Sequence, residues 1–240
     1  MKRLLLASAI ILAISSLSSC DKGTQYLGFY DATVTIKPLK GSQFDCFFQQ
    51  DEHTAVVVNT PGQFSYSGDE ERAYIHYYLV KTENTTSFPY PDITEVWYVD
   101  LVSCSLLHQK QLAESVQDDD EEYGNEPVEV ICGDKVFPST SIEDGYLNLV
   151  FQVFDADLMN HTINVVKGSD PSDPYKLVVH HKLGISNGET IYPFLNAYLF
   201  CFPLKELPDT GNTPKKVTIE WKDFSGKTAS CQLDYISRKQ

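Results

Sequence analysis

Positive charge is scarce in this chain of 240 residues: 19 Lys and Arg stand against 33 Asp and Glu, a formal net charge of −14 at pH 7. Binding to a phosphate backbone needs a basic face, so no nucleic-acid partner is expected. Long apolar runs are missing after residue 17, so nothing beyond the leader can span a bilayer. Chemical signatures are missing too. There is no Gly-rich phosphate loop, no Gly-x-Ser-x-Gly elbow, no His-Glu-x-x-His and no Cys-x-x-Cys. No cofactor, metal ion or catalytic residue is therefore assigned, and a non-catalytic role is favoured. An enzyme stays open as an alternative, because glycoside hydrolysis needs only two carboxylates at a suitable separation. Disorder is excluded, since 42% of the residues are hydrophobic and a chain of this length can bury one large core or two small ones.

What is present begins at the N-terminus. Lys2 and Arg3 form a basic start, Leu4 to Leu17 an apolar stretch, and Leu17-Ser18-Ser19-Cys20 a small-residue cleavage site ending in cysteine. This resembles a bacterial lipoprotein signal. The reading is a signal peptide over 1–19, Cys20 as the lipid attachment residue, and a tether over 20–25. Each buried CH₂ of an acyl chain contributes about 0.8 kcal/mol, so several chains on Cys20 would hold the protein on a membrane. The competing reading is an ordinary secretory leader followed by an incidental cysteine.

Five cysteines follow Cys20: Cys46, Cys104, Cys132, Cys201 and Cys231. The odd number leaves at least one free thiol unless it pairs between chains. Four lie in apolar, strand-like runs, where cysteine acts as a small hydrophobe, so they are expected buried and mostly unpaired.

The hydrophobic period is that of an all-β protein. Tyr30, Ala32, Val34 and Ile36 alternate with Asp31, Thr33, Thr35 and Lys37, and further strand runs cover 44–48, 54–58, 72–81 and 95–107. These five strands form a first domain over 26–116. Only 108–115 offers helix formers, in too short a run for a core helix. The acidic block Gln117-Asp-Asp-Asp-Glu-Glu122, running into Gly124 and Pro127, reads as a solvated linker over 117–127. Seven more strand runs, at 128–131, 146–154, 162–166, 177–181, 197–202, 217–221 and 228–233, fit a two-sheet sandwich over 128–236.

With its lipobox, five-stranded first half and acidic linker, the chain resembles the NigD-like lipoproteins of anaerobic Gram-negative bacteria. Gly145 to Phe151, Asn160 to Val166, Leu177 to His181 and Lys215 to Gly226 carry the likeness in the second half. The resemblance implies an N-terminal OB-like barrel of five strands followed by a β-sandwich of roughly seven, and a cell-envelope location anchored to the outer membrane. It carries over no activity, ligand or catalytic residue. Surface-displayed lipoproteins of such bacteria often carry Lys or Gln and then acidic residues after the lipidated cysteine. Here Cys20-Asp-Lys-Gly-Thr24 departs from that, so the periplasmic face and the cell surface both stay open.

Several constellations bear on function. Tyr74, His76 and Tyr78 share one face of a strand and are the candidate ligand-binding residues, a patch able to stack a sugar or a base. The alternative is that they pack against the linker or the second domain, since Ala73, Ile75, Tyr77 and Leu79 already supply a core face. His180 and His181 are adjacent on a strand and point to opposite faces, which reads as edge or surface histidines and not as a metal pair. Leu207-Pro-Asp-Thr-Gly211 spells a wall-sorting signal and contains a protease-like Asp-Thr-Gly, but it lacks the apolar tail of the first and the second triplet of the other, and reads as a turn. Asp155-Ala-Asp157 and Asp170 to Asp173 are acidic loops without calcium-loop spacing. The expectation is a membrane-anchored binding or scaffolding module, its partner an envelope protein or a glycan. The alternatives are a glycan hydrolase and a bacteriocin immunity-type protein.

Overall fold

The computed structural model describes residues 25–39, 45–133, 138–155, 161–168, 170, 172–184, 194–211 and 213–238. Cys20 and the leader lie outside the described residues, as does most of the loop at Asp155-Ala-Asp157.

Five strands form the first unit: β1 (Gly28–Pro38), β2 (Cys46–Gln49), β3 (Thr54–Val58), β4 (Glu71–Asn84) and β5 (Glu95–Leu106). They close in the order β1-β2-β3-β5-β4, with β4 returning to β1. Closure leaves no unpaired sheet edge. Alternation selects the interior: Ala32, Val34 and Ile36 from β1 meet Phe48, Val56, Ala73, Ile75, Tyr77 and Val99 inside. β2 and β3 are buried on both faces, because Phe47, Ala55 and Val57 point outward beneath Phe88, Tyr90 and Ile93 of the β4–β5 connection. That is why the run Thr-Ala-Val-Val-Val is apolar throughout and does not alternate.

The second unit pairs two sheets. One holds β6 (His108–Gln109), β12 (Phe194–Pro203), β9 (Tyr146–Asp155) and β7 (Glu129–Val130) in that order, with β8 (Ser141–Glu143) also on β9. The other holds β10 (His161–Lys167), β11 (Lys176–Leu183), β13 (Lys215–Lys222) and β14 (Thr228–Tyr235). Leu147, Leu149, Phe151 and Val153 from β9 interleave with Ile163, Val165, Leu177, Val179, Val217, Ile219 and Trp221 from the facing sheet. Each large apolar side chain so buried contributes about 1.5–3 kcal/mol. Cys132 and Cys231 form a disulfide across 99 residues of sequence, tying the segment after β7 to β14. Cys46, Cys104 and Cys201 are free.

The chain enters the sandwich earlier than its composition suggests. Leu107 still donates its N–H to Arg72 O of the barrel, and the next residue, His108, already pairs with Phe200. The acidic block is a short helix, α1 (Asp119–Tyr123), with Asp118 as its cap accepting from Glu121 N at 3.0 Å. Its charged side chains face water, but its backbone is fastened to the sandwich. Glu126 N donates to His181 O at 2.9 Å and Val128 N to Lys222 O at 2.9 Å. Gly124 has φ of +89°, and a Cβ there would lie 2.4 Å from His181 O, so only glycine fits. Residues 117–127, expected as a solvated linker, thus form a strap on β11 and β13.

The histidines require a correction. Both His180 and His181 are buried and neither is at an open edge: β10 pairs with them on one side, and on the other, where the ladder with β13 has ended at Val179, the strap takes a strand's place. Each holds the strap: His180 Nδ1 donates to Gly124 O at 2.9 Å and His181 Nδ1 to Pro127 O at 2.8 Å.

The polar side of β1 is covered at one end. Thr35 and Lys37 alternate as solvent-facing residues would, yet both are buried. The start of β9 and the β8–β9 turn cover that end of the barrel. The turn is Asp144-Gly145 with φ of +47° and +75°, the left-handed pair that a two-residue hairpin requires. Arg72 on β4, 1% exposed, donates to Thr35 Oγ1 at 2.7 Å and to Asn148 Oδ1 at 3.0 Å, and sits 3.4 Å from Glu143 Oε2. Lys37 pairs with Asp144 at 3.0 Å and Glu70 at 3.4 Å, and Arg238 pairs with both of those carboxylates. The two units therefore meet across a polar, largely buried seam.

Candidate functional site

The candidate residues Tyr74, His76 and Tyr78 lie on the outer face of β4, while Ala73, Ile75, Tyr77 and Leu79 fill the barrel. Strand register gives each a neighbour on both sides of the same face. Tyr74 lies between Thr33 and Ser105, His76 between Asp31 and Ser103, and Tyr78 between Phe29 and Asp100. The face is a grid of three rows with rings down its middle column. Rows two residues apart stand roughly 7 Å from one another.

The rings touch one another. Tyr78 packs on Phe29 at 5.0 Å and on Tyr26 at 4.8 Å, His76 stacks on Phe29 at 6.2 Å, and Tyr74 meets His76 edge-on at 5.1 Å. Phe29 is 52% exposed, Tyr26 43% and Tyr78 39%, so this strip is open and not sandwiched against the second unit. Two carboxylates fix its borders. Asp31 pairs with His76 Nδ1, and Asp100 accepts from the Tyr26 hydroxyl at 2.9 Å. The Asp100 hydrogen bond is the main cause that raises the Tyr26 phenol pKa; burial, then Asp31, raises that of Tyr74. Both phenols thus stay protonated at neutral pH, that of Tyr26 with its hydrogen given to Asp100. Between His76 and Tyr77 the β4–β5 ladder slips by one residue, and Val102 bulges out 56% exposed beside the strip.

Sequence spacing found the middle column, the three residues of β4. It did not find Tyr26 and Phe29, because only the β1–β4 register brings them alongside; aromatic residues just ahead of the Tyr30 alternation were the available signal.

A cleft of about 790 Å³ opens beside the seam, walled by Tyr90, Ile93, Ile142 and Ile236, with Lys37 and Asp144 among its lining. Burial lowers the Lys37 pKa, and Asp144 and Glu70 oppose that shift. The charges lining it from the seam already have protein partners, so the cleft reads as part of the docking of the two units. Residues 207–211 form a turn, in which Asp209 Oδ1 accepts from Gly211 N at 3.0 Å and from the Ser237 hydroxyl, and Thr210 also bonds Ser237. Asp170 likewise caps its own turn through Ser172. Among the described residues no cluster of three His, Cys, Asp or Glu is placed to hold a metal ion.

Comparison with known proteins bears on the fold. A toxin-related protein, so described provisionally, from Parabacteroides distasonis shares 21% identity, with 88% of this chain and 94% of that one covered at a TM-score of 0.62. A proposed lipoprotein from Bacteroides fragilis shares 11% identity, covering 88% and 100% at 0.59. A NigD-like immunity protein from Bacteroides caccae shares 18%, covering 88% and 99% at 0.52. At these identities the likeness is one of fold. A search of curated proteins finds no match. The model of the NigD-like C-terminal beta sandwich domain matches residues 110–235, beginning just after β6 and ahead of the acidic strap, as the strand pairing does. That match takes in more than half of the sequence, and the chain belongs to the NigD-like family.

Proposed function

We propose that this protein is a membrane-anchored lipoprotein of the cell envelope, held in the outer membrane by acyl chains on Cys20, and that it works without catalysis as a binding module. One observation carries the binding half of this reading: the barrel turns a strip of touching aromatic rings toward solvent although its own second unit docks elsewhere, through charged and polar groups. Folded chains rarely leave contiguous apolar surface uncovered without a use for it. The anchoring half is supported by the leader and by the fold shared with the proposed lipoprotein.

Each half has its own test. Cys20→Ala should abolish incorporation of labelled fatty acid and move the protein from the detergent phase to the aqueous phase; continued membrane partitioning would place the anchor elsewhere. The Cys20→Ala protein, freed from the membrane, should sediment with isolated cell envelopes, and adding Phe29→Ser and Tyr78→Ser should leave it in the supernatant. Equal sedimentation of both forms would remove the strip as the contact. The neighbour described as an immunity protein supports a second reading, interception of a toxin at the membrane. Protection of producing cells that is lost on deleting this gene would favour it.

A further inference from the structure

We infer that the strip on β1, β4 and β5 is a platform for a neutral glycan chain; this rests on the binding-module reading and names its ligand class. The argument starts from what the face offers in each row. In the middle column every row has a ring, Tyr74, His76 or Tyr78, and Phe29 and Tyr26 extend the apolar surface at one end. Beside the rings lie groups that bond hydroxyls: Thr33 and Ser105, Asp31 and Ser103, and Asp100. A pyranose has the matching two-sided character. Its axial C–H groups make an apolar face that lies flat on an aromatic ring, while its equatorial hydroxyls project sideways, where carboxylates and serines accept and donate.

Charge then chooses among ligands that could lie on rings. The ionisable groups of the grid, apart from the phenols, are Asp31, Asp100 and His76, the last paired with Asp31. A nucleic-acid strand stacks on rings but needs cations for its phosphates, and a uronate or sulfated polymer would meet these carboxylates with like charge. A neutral chain meets neither penalty. The shape agrees: the face is the outside of a sheet and not a pit, and it runs along β4 for three rows, so an extended chain can pass over successive rings, flat on some and against the edge of others, since Tyr74 and His76 stand at 89°. Such a site binds a chain along its length and has no pocket to select its end.

Affinity electrophoresis tests this with the Cys20→Ala chain in gels cast with a β-glucan, a galactomannan or an α-mannan, and in parallel with polygalacturonate and heparin. The expected result is retardation in at least one neutral polymer and none in the two anionic ones. Phe29→Ser with Tyr78→Ser should abolish it, reducing retardation at least tenfold, and Tyr78→Trp, which keeps a ring, should preserve it. Retardation that persists in the ring-free variant, or is equal in the anionic gels, overturns the proposal. Absence of retardation in all three neutral gels overturns it too. In that event, ring-dependent sedimentation with envelopes would show that the binding reading stands and the glycan is wrong, while ring-independent sedimentation would remove both.

Discussion

The seam between barrel and sandwich and the ring strip on the barrel's outer face reverse the usual placement of side chains. At the seam, Arg72 and Lys37 are buried; on the strip, Phe29 and Tyr26 are in water. Buried charge is costly unless it is matched, and here most of it is: the terminal nitrogens of Arg72 have Thr35, Asn148 and Glu143, its Nε alone being without a partner, and Lys37 has Gln49, Asp144 and Glu70. The strip's outermost rings, Phe29, Tyr26 and Tyr78, instead pack on one another and stay open to solvent. A surface whose charges are met within its own chain is a joint, and rings left in water are where another molecule has something to gain.

The largest effect should come from breaking the joint. Arg72→Ala removes a buried guanidinium, leaves Glu143 and Asn148 without their partner, and opens a cavity; the expected loss is about 3–5 kcal/mol in urea unfolding. Cys201 reports on the same place. It is buried, its Sγ lies 3.3 Å from Asn148 Oδ1, and burial raises its thiol to about 11. At pH 8 roughly one thiol in a thousand would be thiolate, so alkylation of the native protein should be slow, and Arg72→Ala should speed it. A variant as stable as the parent, with Cys201 still protected, would show that the two units hold together without this network.

A smaller loss is expected within the sandwich. The Cys132–Cys231 bond closes a loop of 99 residues and joins the two sheets near β7 and β14. Cys132→Ser should cost about 2–4 kcal/mol, chiefly by freeing the unfolded chain. Because neither cysteine touches the seam or the strip, glycan retardation and Cys201 protection should not change at low denaturant. Loss of either would mean that the two regions are coupled through the sandwich.

The strands were legible because their period was: β3 runs over the residues its apolar stretch marks, and β1, β4 and β13 follow their alternation. Cys46, Cys104 and Cys201 are free, as their apolar sequence runs suggest, but Cys104 is only half-buried, Cys201 lies beside Asn148, and Cys231, expected unpaired, is bonded to Cys132. The seam was not legible. Lys37 and Thr35 obey the rule for a wet face, and only the arrival of the β8–β9 turn over that end of the barrel makes them interior. The strap was misleading for a related reason: composition reads the charged side chains of 117–127, most of which do face water, whereas its position is fixed by its backbone groups, which bond β11, β13 and the rings of His180 and His181. Half of the candidate site shared this limit, since Tyr74, His76 and Tyr78 are spaced along one strand and Phe29 joins them only through cross-strand register.

The smallest effect on stability should belong to the strip, and this makes the sharpest comparison with the joint. Phe29 and Tyr78 are a cross-strand pair in contact at 5.0 Å, and such pairs contribute roughly 0.2–1 kcal/mol over alanine. Each ring is only about half buried, so each gives up about half of what a core ring would. Phe29→Ser with Tyr78→Ser should therefore lower the unfolding free energy by about 1–2 kcal/mol, less than Arg72→Ala, measured on the same urea curve. Binding should respond in the opposite order, with the ring variant losing it and any folded seam variant keeping it. If the ring variant instead loses 3 kcal/mol or more, the strip is supporting β1 and β4, and its exposure would no longer speak for a ligand.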